Sequence, residues 1–164
     1  MELYLIRHGI AQEREANIKD EERNLTEEGR RKTEKVANRL LQLGLHFDLI
    51  ATSPLVRAVQ TAEILIGTGL STQLEKCAHL APEGNIHNWL VEWFELHNFS
   101  KTTQLALVGH EPCLSNWAEI LISQEASSGF VLKKAGMIGL KLPDNGNPLG
   151  RSQMFWLTPP KYLL

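Results

Sequence analysis

Three short segments carry side chains that could do chemistry together. Arg7-His8-Gly9 follows directly on the apolar run Leu3-Tyr4-Leu5-Ile6. The stretch from Ala51 to Ala58, with Ser53, Pro54 and Arg57, follows Phe47-Asp48-Leu49-Ile50. Val108-Gly109-His110-Glu111-Pro112 follows Gln104-Leu105-Ala106-Leu107. Each reads as strand, short turn and helix, and in open α/β sheets functional groups collect at such strand ends. An imidazole beside a guanidinium feels a like charge that disfavours its protonated form. His8 should therefore be neutral near pH 7 and available as a nucleophile. Gly9, with no side chain, leaves room for a substrate to approach the backbone.

In a parallel sheet these three strand ends share one rim, so residues a hundred positions apart can meet. Arg57, in a first helical turn, leans back over that rim, and helix N-termini add free N–H groups and a positive dipole. Two guanidiniums with two imidazoles suit a multiply charged tetrahedral anion better than a carboxylate. The chemistry implied is phosphoryl transfer to His8. Arg7, Arg57 and His110 would stabilise charge on the equatorial oxygens, and water would hydrolyse the phosphohistidine intermediate. No metal is called for, and no carboxylate-rich cluster of magnesium-ligand character accompanies these residues. His46, His79, His87 and His97 lack metal-ligand spacing and read as surface or packing residues.

The positioning elements follow from periodicity. Val36, Leu40 and Leu43, widened by Ala37 and Leu41, predict a helix from about Thr26 to Leu43. Thr26 is its N-cap, Glu27 and Glu28 favour the dipole, and Gly44 closes it. Gly29, a poor helix former, marks close approach to another element. A second helix is predicted to begin at Ser53-Pro54, the hydroxyl capping and the proline in the first turn, with Leu55, Val59, Ala62 and Ile66 inward. A third spans about Ile86 to His97, with Ile86, Leu90, Trp93 and Phe94 inward beside Trp89. A fourth runs from Pro112 to Ser123 and buries Leu114, Trp117, Ile120 and Leu121. Phe130–Leu132, Met137–Leu142 and Met154–Leu157 read as closing strands, the last two as a hairpin.

The 164 residues suffice for one domain with a sizeable core, spanning 1–164. A hydrophobic share of 43% with 22% charged residues is that of a globular chain. The net charge of −2 gives no reason to expect nucleic acid as a partner. Cys77 and Cys113 read as reduced thiols, and no signal peptide or membrane-spanning run is evident. The expectation is a cytoplasmic protein away from the membrane, and nothing demands more than a monomer.

Arg7-His8-Gly9, Arg23-x-Leu25-Thr26-x-x-Gly29, Ser53-Pro54-x-x-Arg57-Ala58-x-Gln60-Thr61-Ala62 and Gly109-His110-x-Pro112 together resemble the histidine phosphatase superfamily. The short chain and the second and third motifs resemble its SixA-type phosphohistidine phosphatase branch. The resemblance implies an α/β fold, a three-layer α/β/α sandwich with a mainly parallel central sheet. It also implies a His8 nucleophile, a phosphate clamp of Arg7, Arg57 and His110, and no cofactor. Arg14 stands where the phosphoglycerate mutase branch carries an Asn, and the insertions typical of mutases are missing, which disfavours mutase activity. Glu83 is the best candidate for a general acid, with a solvated loop carboxylate as the alternative. Arg23 is a candidate substrate contact, with a salt bridge to Glu22 or another surface carboxylate as the alternative. The favoured substrate is a phosphohistidine protein, such as a phosphotransfer domain or phosphocarrier. A small phosphate ester is the second reading, and a non-catalytic phosphate-binding module the third.

Overall fold

The computed structural model describes all residues from Met1 to Leu164. Its elements are β1 (Glu2–Arg7), α1 (Glu27–Gln42), β2 (Leu49–Thr52), α2 (Val56–Thr68) and β3 (Leu74–Lys76). There follow α3 (Ile86–Trp89), which runs through a π-helical turn at Leu90–Phe94 into α4 (Glu95–His97), then β4 (Gln104–Gly109), α5 (Cys113–Ser123), β5 (Met137–Lys141) and β6 (Gln153–Thr158). The sheet order is β3-β2-β4-β1-β5-β6. β1, β2 and β3 are joined through β4 and β2 by parallel pairings, whereas β5 runs antiparallel to both β1 and β6. The result is a mixed sheet in which β3, β2, β4 and β1 are parallel. No helix is long and apolar enough to cross a membrane.

Alternation along the central strands sends side chains to two separate cores, as a sheet covered on both faces requires. Leu3, Leu5, Leu105 and Leu107 pack with Trp89 of α3 and with Leu114, Trp117 and Leu121 of α5. Tyr4, Ile6, Ala106 and Val108 face the other way, against Val36 and Leu40 of α1 and Ala58, Ala62 and Leu65 of α2. These two cores make three layers, α/β/α.

α1 starts as its sequence predicts, the Thr26 hydroxyl accepting the Gly29 N–H at 2.9 Å. Gly29 also has the expected close neighbour, since a Cβ there would run into the Ile10 carbonyl oxygen. α2 differs from expectation. It begins at Val56 with Leu55 at the cap, so Ser53 is no helix cap and Pro54 is outside the helix. Its buried face is Arg57, Ala58, Thr61, Ala62 and Leu65, while Leu55, Val59 and Ile66 are only half-buried. The helix is rotated so that two polar side chains reach the end of β1.

One further expectation is corrected and one strand is added. Phe130–Leu132 forms no strand. Its backbone amides are taken by carboxylates, Phe130 N–H by Glu119 Oε1 at 2.8 Å and Leu132 N–H by Glu111 Oε2 at 3.2 Å, which leaves no ladder to pair. β3 escaped the sequence reading because a three-residue edge strand with one apolar residue has no detectable period.

Candidate active site

β1, β2 and β4 end side by side, and the chain delivers His8, Ser53 and His110 just beyond those ends. α2 then returns Arg57 to the same place. Its Nε–H donates to His8 Nε2 at 3.2 Å, and the His8 and His110 rings lie 5.2 Å apart, centre to centre. His8, Arg57 and His110 are buried. The structure thus brings Arg7, His8, Arg57 and His110 around one cavity of about 200 Å³, which Arg23 also lines.

The hydrogen-bond partners settle the form of His8. Gly9 O, at 2.7 Å from Nδ1, can only accept, so Nδ1 carries the proton. Nε2 accepts from Arg57 and therefore holds the lone pair. Burial is the largest cause depressing the His8 pKa, to about 3; the Gly9 hydrogen bond opposes it, and His110, Arg57 and Arg7 add to it. The neutral imidazole expected from the sequence is present, but desolvation accounts for more of it than the neighbouring guanidiniums do.

Ser53 is the partner that sequence reading missed. Its hydroxyl oxygen lies 2.8 Å from His110 Nε2 and accepts the Leu55 N–H at 3.3 Å. The only acceptor within reach of the Ser53 O–H is His110 Nε2, so the hydroxyl donates there and His110 Nδ1 carries its own proton. That Nδ1 is buried without a partner in the chain, on a residue that lines the cavity. Burial, followed by the charge of Arg57, lowers the His110 pKa to about 4.

The rest of the α2 motif fastens the loops. Thr61 Oγ1 accepts the Gly9 N–H at 3.0 Å and donates to Arg57 O at 2.8 Å. Gln60 Oε1 accepts the Leu25 N–H, and its Nε2 donates to Asn24 Oδ1. Gly9 has both backbone groups engaged, and a Cβ on it would strike Thr33 Oγ1 of α1. Packing against α1 is thus what requires glycine there. Arg7 Nη1 donates to Leu132 O at 2.9 Å, and its Nε is buried and unpartnered.

Asp20, in a helical turn over Asp20–Glu22, is the second residue the sequence did not single out. Its backbone carbonyl accepts Arg57 Nη1–H at 2.7 Å and its Oδ2 accepts Nη2–H at 3.1 Å. Arg23 donates to Asp20 Oδ1 from Nε at 3.0 Å and to Gln12 O from Nη1 at 2.6 Å. Arg23 thus lines the cavity and holds a salt bridge, with Asp20 and not Glu22 as its partner. Partial burial would raise the Asp20 pKa, but Arg57 and Arg23 outweigh it and the carboxyl stays below its ordinary value. Nothing adjacent in sequence signals this contact across 37 positions.

Glu83 lies exposed on a neighbouring cavity with Asn85 and Pro112, apart from the His8 cavity, which Pro82 reaches. Glu111 does line the His8 cavity, with one oxygen accepting Ser115 N–H at 3.0 Å and the other Leu132 N–H at 3.2 Å. Nowhere do three or more His, Cys, Asp or Glu side chains gather in a way that could hold a metal ion.

Comparison with known proteins agrees with this geometry. Residues 3–81 match the histidine phosphatase superfamily (branch 1). An uncharacterized protein of Picosynechococcus sp. is 43% identical over 172 residues, covering 100% of this chain and 99% of that one. The structure of the protein histidine phosphatase SixA complexed with tungstate superposes with a TM-score of 0.82 at 23% identity, covering 100% of both chains. A phosphoserine phosphatase mutant of Entamoeba histolytica in complex with phosphoserine superposes with a TM-score of 0.71 at 16% identity over 99% of both chains. The chain belongs to the histidine phosphatase superfamily, as a phosphatase with the fold of its SixA-type members.

Proposed function

We propose that this phosphatase removes the phosphoryl group from phosphohistidine on a protein, through a covalent phosphohistidine at His8 and without a metal. The observation that carries the reading is the state of the carboxylates around the cavity. Asp20 is held ionised by two arginines, and Glu111 accepts two backbone N–H bonds. Glu83 faces another cavity. Asp20, paired with two cations, and Glu83, on another cavity, are not placed to give a proton to a leaving oxygen. An alkoxide needs that proton, whereas imidazole, whose conjugate acid has a reference pKa of about 6.5, departs neutral once its remote nitrogen is protonated by solvent.

The steps follow from the tautomer. The His8 Nε2 lone pair attacks phosphorus, the substrate P–N bond breaks, and its electron pair stays with the departing imidazole. Arg7, Arg57 and His110 Nδ1–H stabilise charge on the transferring group. In the phosphoenzyme the Nδ1–H held by Gly9 O makes the ring cationic, so it leaves in turn as neutral imidazole when water attacks phosphorus. The water loses its proton to solvent, and inorganic phosphate and His8 in its starting tautomer are regenerated.

The cavity size supports a protein substrate. Small-molecule pockets span roughly 300–1,000 Å³, whereas about 200 Å³ holds a phosphoryl group with its carrier outside. A small phosphate ester is the second reading, favoured by the fold likeness to a phosphoserine phosphatase. The test is phosphate release by wild type and His8→Ala, without added metal, from a histidine-phosphorylated protein and from a panel of phosphate esters. Turnover of the phosphoprotein alone, lost in His8→Ala, is the expected result; faster turnover of an ester overturns it.

A further inference from the structure

A second cavity, of about 370 Å³, adjoins the first and shares Arg7 and Lys134 with it. Lys32, Thr33, Lys133 and Lys161 also line it. Five cationic side chains thus meet in a chain whose net charge is −2. Lys32 pairs with Glu28 at 2.6 Å, but Lys133, Lys134 and Lys161 form no ion pair. Thr33 Oγ1, on a side chain that is 1% exposed, and Arg7 Nε are buried without hydrogen-bond partners.

The backbone that carries Lys133 and Lys134 is fixed in place. Ala135 N–H donates to Arg7 O at 3.1 Å and to His8 O at 3.2 Å, and Gly136 O accepts the Arg7 N–H at 3.1 Å. Ala135 itself has φ of 58°, a left-handed conformation that a non-glycine residue adopts only where its surroundings hold it. The turn bearing Lys133 and Lys134 is therefore bound to the backbone of the nucleophile itself. Lysine ammoniums are rotatable point charges, which suit carboxylates at varied angles, unlike the arginine forks around the first cavity.

We propose that this lysine cavity is a second subsite, which takes acidic side chains of the phosphorylated protein while its phosphohistidine occupies the first cavity. The inference rests on the phosphoprotein reading above. On the segment 11–23 the exposed glutamates Glu13, Glu15, Glu21 and Glu22 are interleaved with Arg14, Lys19 and Arg23, and of these charged residues it is Arg14 and Arg23 that line the first cavity.

The test uses the exposed Lys133→Glu, Lys161→Glu and the double variant. It compares a histidine-phosphorylated protein with inorganic phosphoramidate, which is too small to reach both cavities. In the double variant, KM for the phosphoprotein should rise about tenfold with kcat kept, and its rise with added salt should flatten. Phosphoramidate turnover should stay within about twofold, which also reports an intact fold. Wild-type turnover of the phosphoprotein with an unchanged KM in the variants overturns the subsite and leaves the phosphohistidine reading standing. No phosphoprotein turnover by wild type overturns both, and an equal loss on both substrates assigns the lysines to the catalytic cavity instead.

Discussion

Arg57 Nε–H points at His8 Nε2 from 3.2 Å, while its two terminal nitrogens are both held by Asp20. One guanidinium therefore marks the nucleophilic lone pair and is itself engaged at all three nitrogens. Three of its five N–H donors are used, so an entering phosphoryl group shares the guanidinium with an anion that the chain already supplies.

Replacing Asp20 by Asn should consequently make inorganic phosphate bind more tightly. A partly exposed ion pair contributes about 0–1 kcal/mol, so the gain should be up to about fivefold in Kd by calorimetry. Weaker binding would mean that Asp20 serves to aim Arg57.

Loss of the nucleophile should be far more severe. His8→Ala should lower kcat by more than about 10³-fold, the scale on which covalent catalysis collapses when its nucleophile is removed. Wild type quenched in alkaline denaturant should carry one base-stable, acid-labile phosphoryl group by mass spectrometry. A variant that retained this adduct would place the phosphoryl group elsewhere.

Ser53→Ala removes the hydroxyl that sets the tautomer of His110. Phosphorylation of His8 should slow by about tenfold, in keeping with the worth of a hydrogen bond that orients a charge-stabilising group. Ser53→Thr, which keeps the hydroxyl, should recover part of the rate in single-turnover measurements.

Stability should fall on acidification. The folded pKa values of His8 and His110 are depressed to about 3 and about 4. Below about pH 6.5 the unfolded chain then binds more protons than the folded one. Each imidazole adds a slope of up to about 1.4 kcal/mol per pH unit between the unfolded value and its folded one. Urea unfolding at pH 7 and pH 5 checks this, and equal midpoints would contradict the burial of neutral imidazoles.

Gly29→Ala sets a methyl group against the Ile10 carbonyl, a rigid neighbour. Unfolding free energy should drop by about 1–3 kcal/mol, the usual range for overpacking, with the phosphohistidine adduct at His8 still formed.

Much of the catalytic rim was legible in the residues, because each strand, turn and helix signals itself within a dozen positions. Apolar runs ending in Arg7-His8, Ala51 to Arg57 and Gly109-His110 suffice to put those side chains on one edge of a parallel sheet. Thr26 and Gly29 likewise announced the start of α1 and its close contact. Other features have no local period. Ser53 looked like a helix cap, since Ser-Pro ahead of an apolar stripe is a capping pattern, and only its 57-position separation from His110 gives the hydroxyl another use. Phe130–Leu132 looked like a strand, but the carboxylates of Glu119 and Glu111 take its amides.

The sequence by itself thus determined the layered architecture and the placing of Arg7, His8, Arg57 and His110 on one rim, through short-range patterns of burial and turn chemistry. Tertiary structure alone decided which nitrogen of His8 and of His110 holds a proton and that Asp20 pairs with Arg57. It also joined Lys32, Lys133, Lys134 and Lys161 in one cavity beside the first. The physical reason is that charge and hydrogen bonding act through space over a few ångströms, and the chain reaches those distances only after α1, α2 and the turn before β5 close around the end of β1.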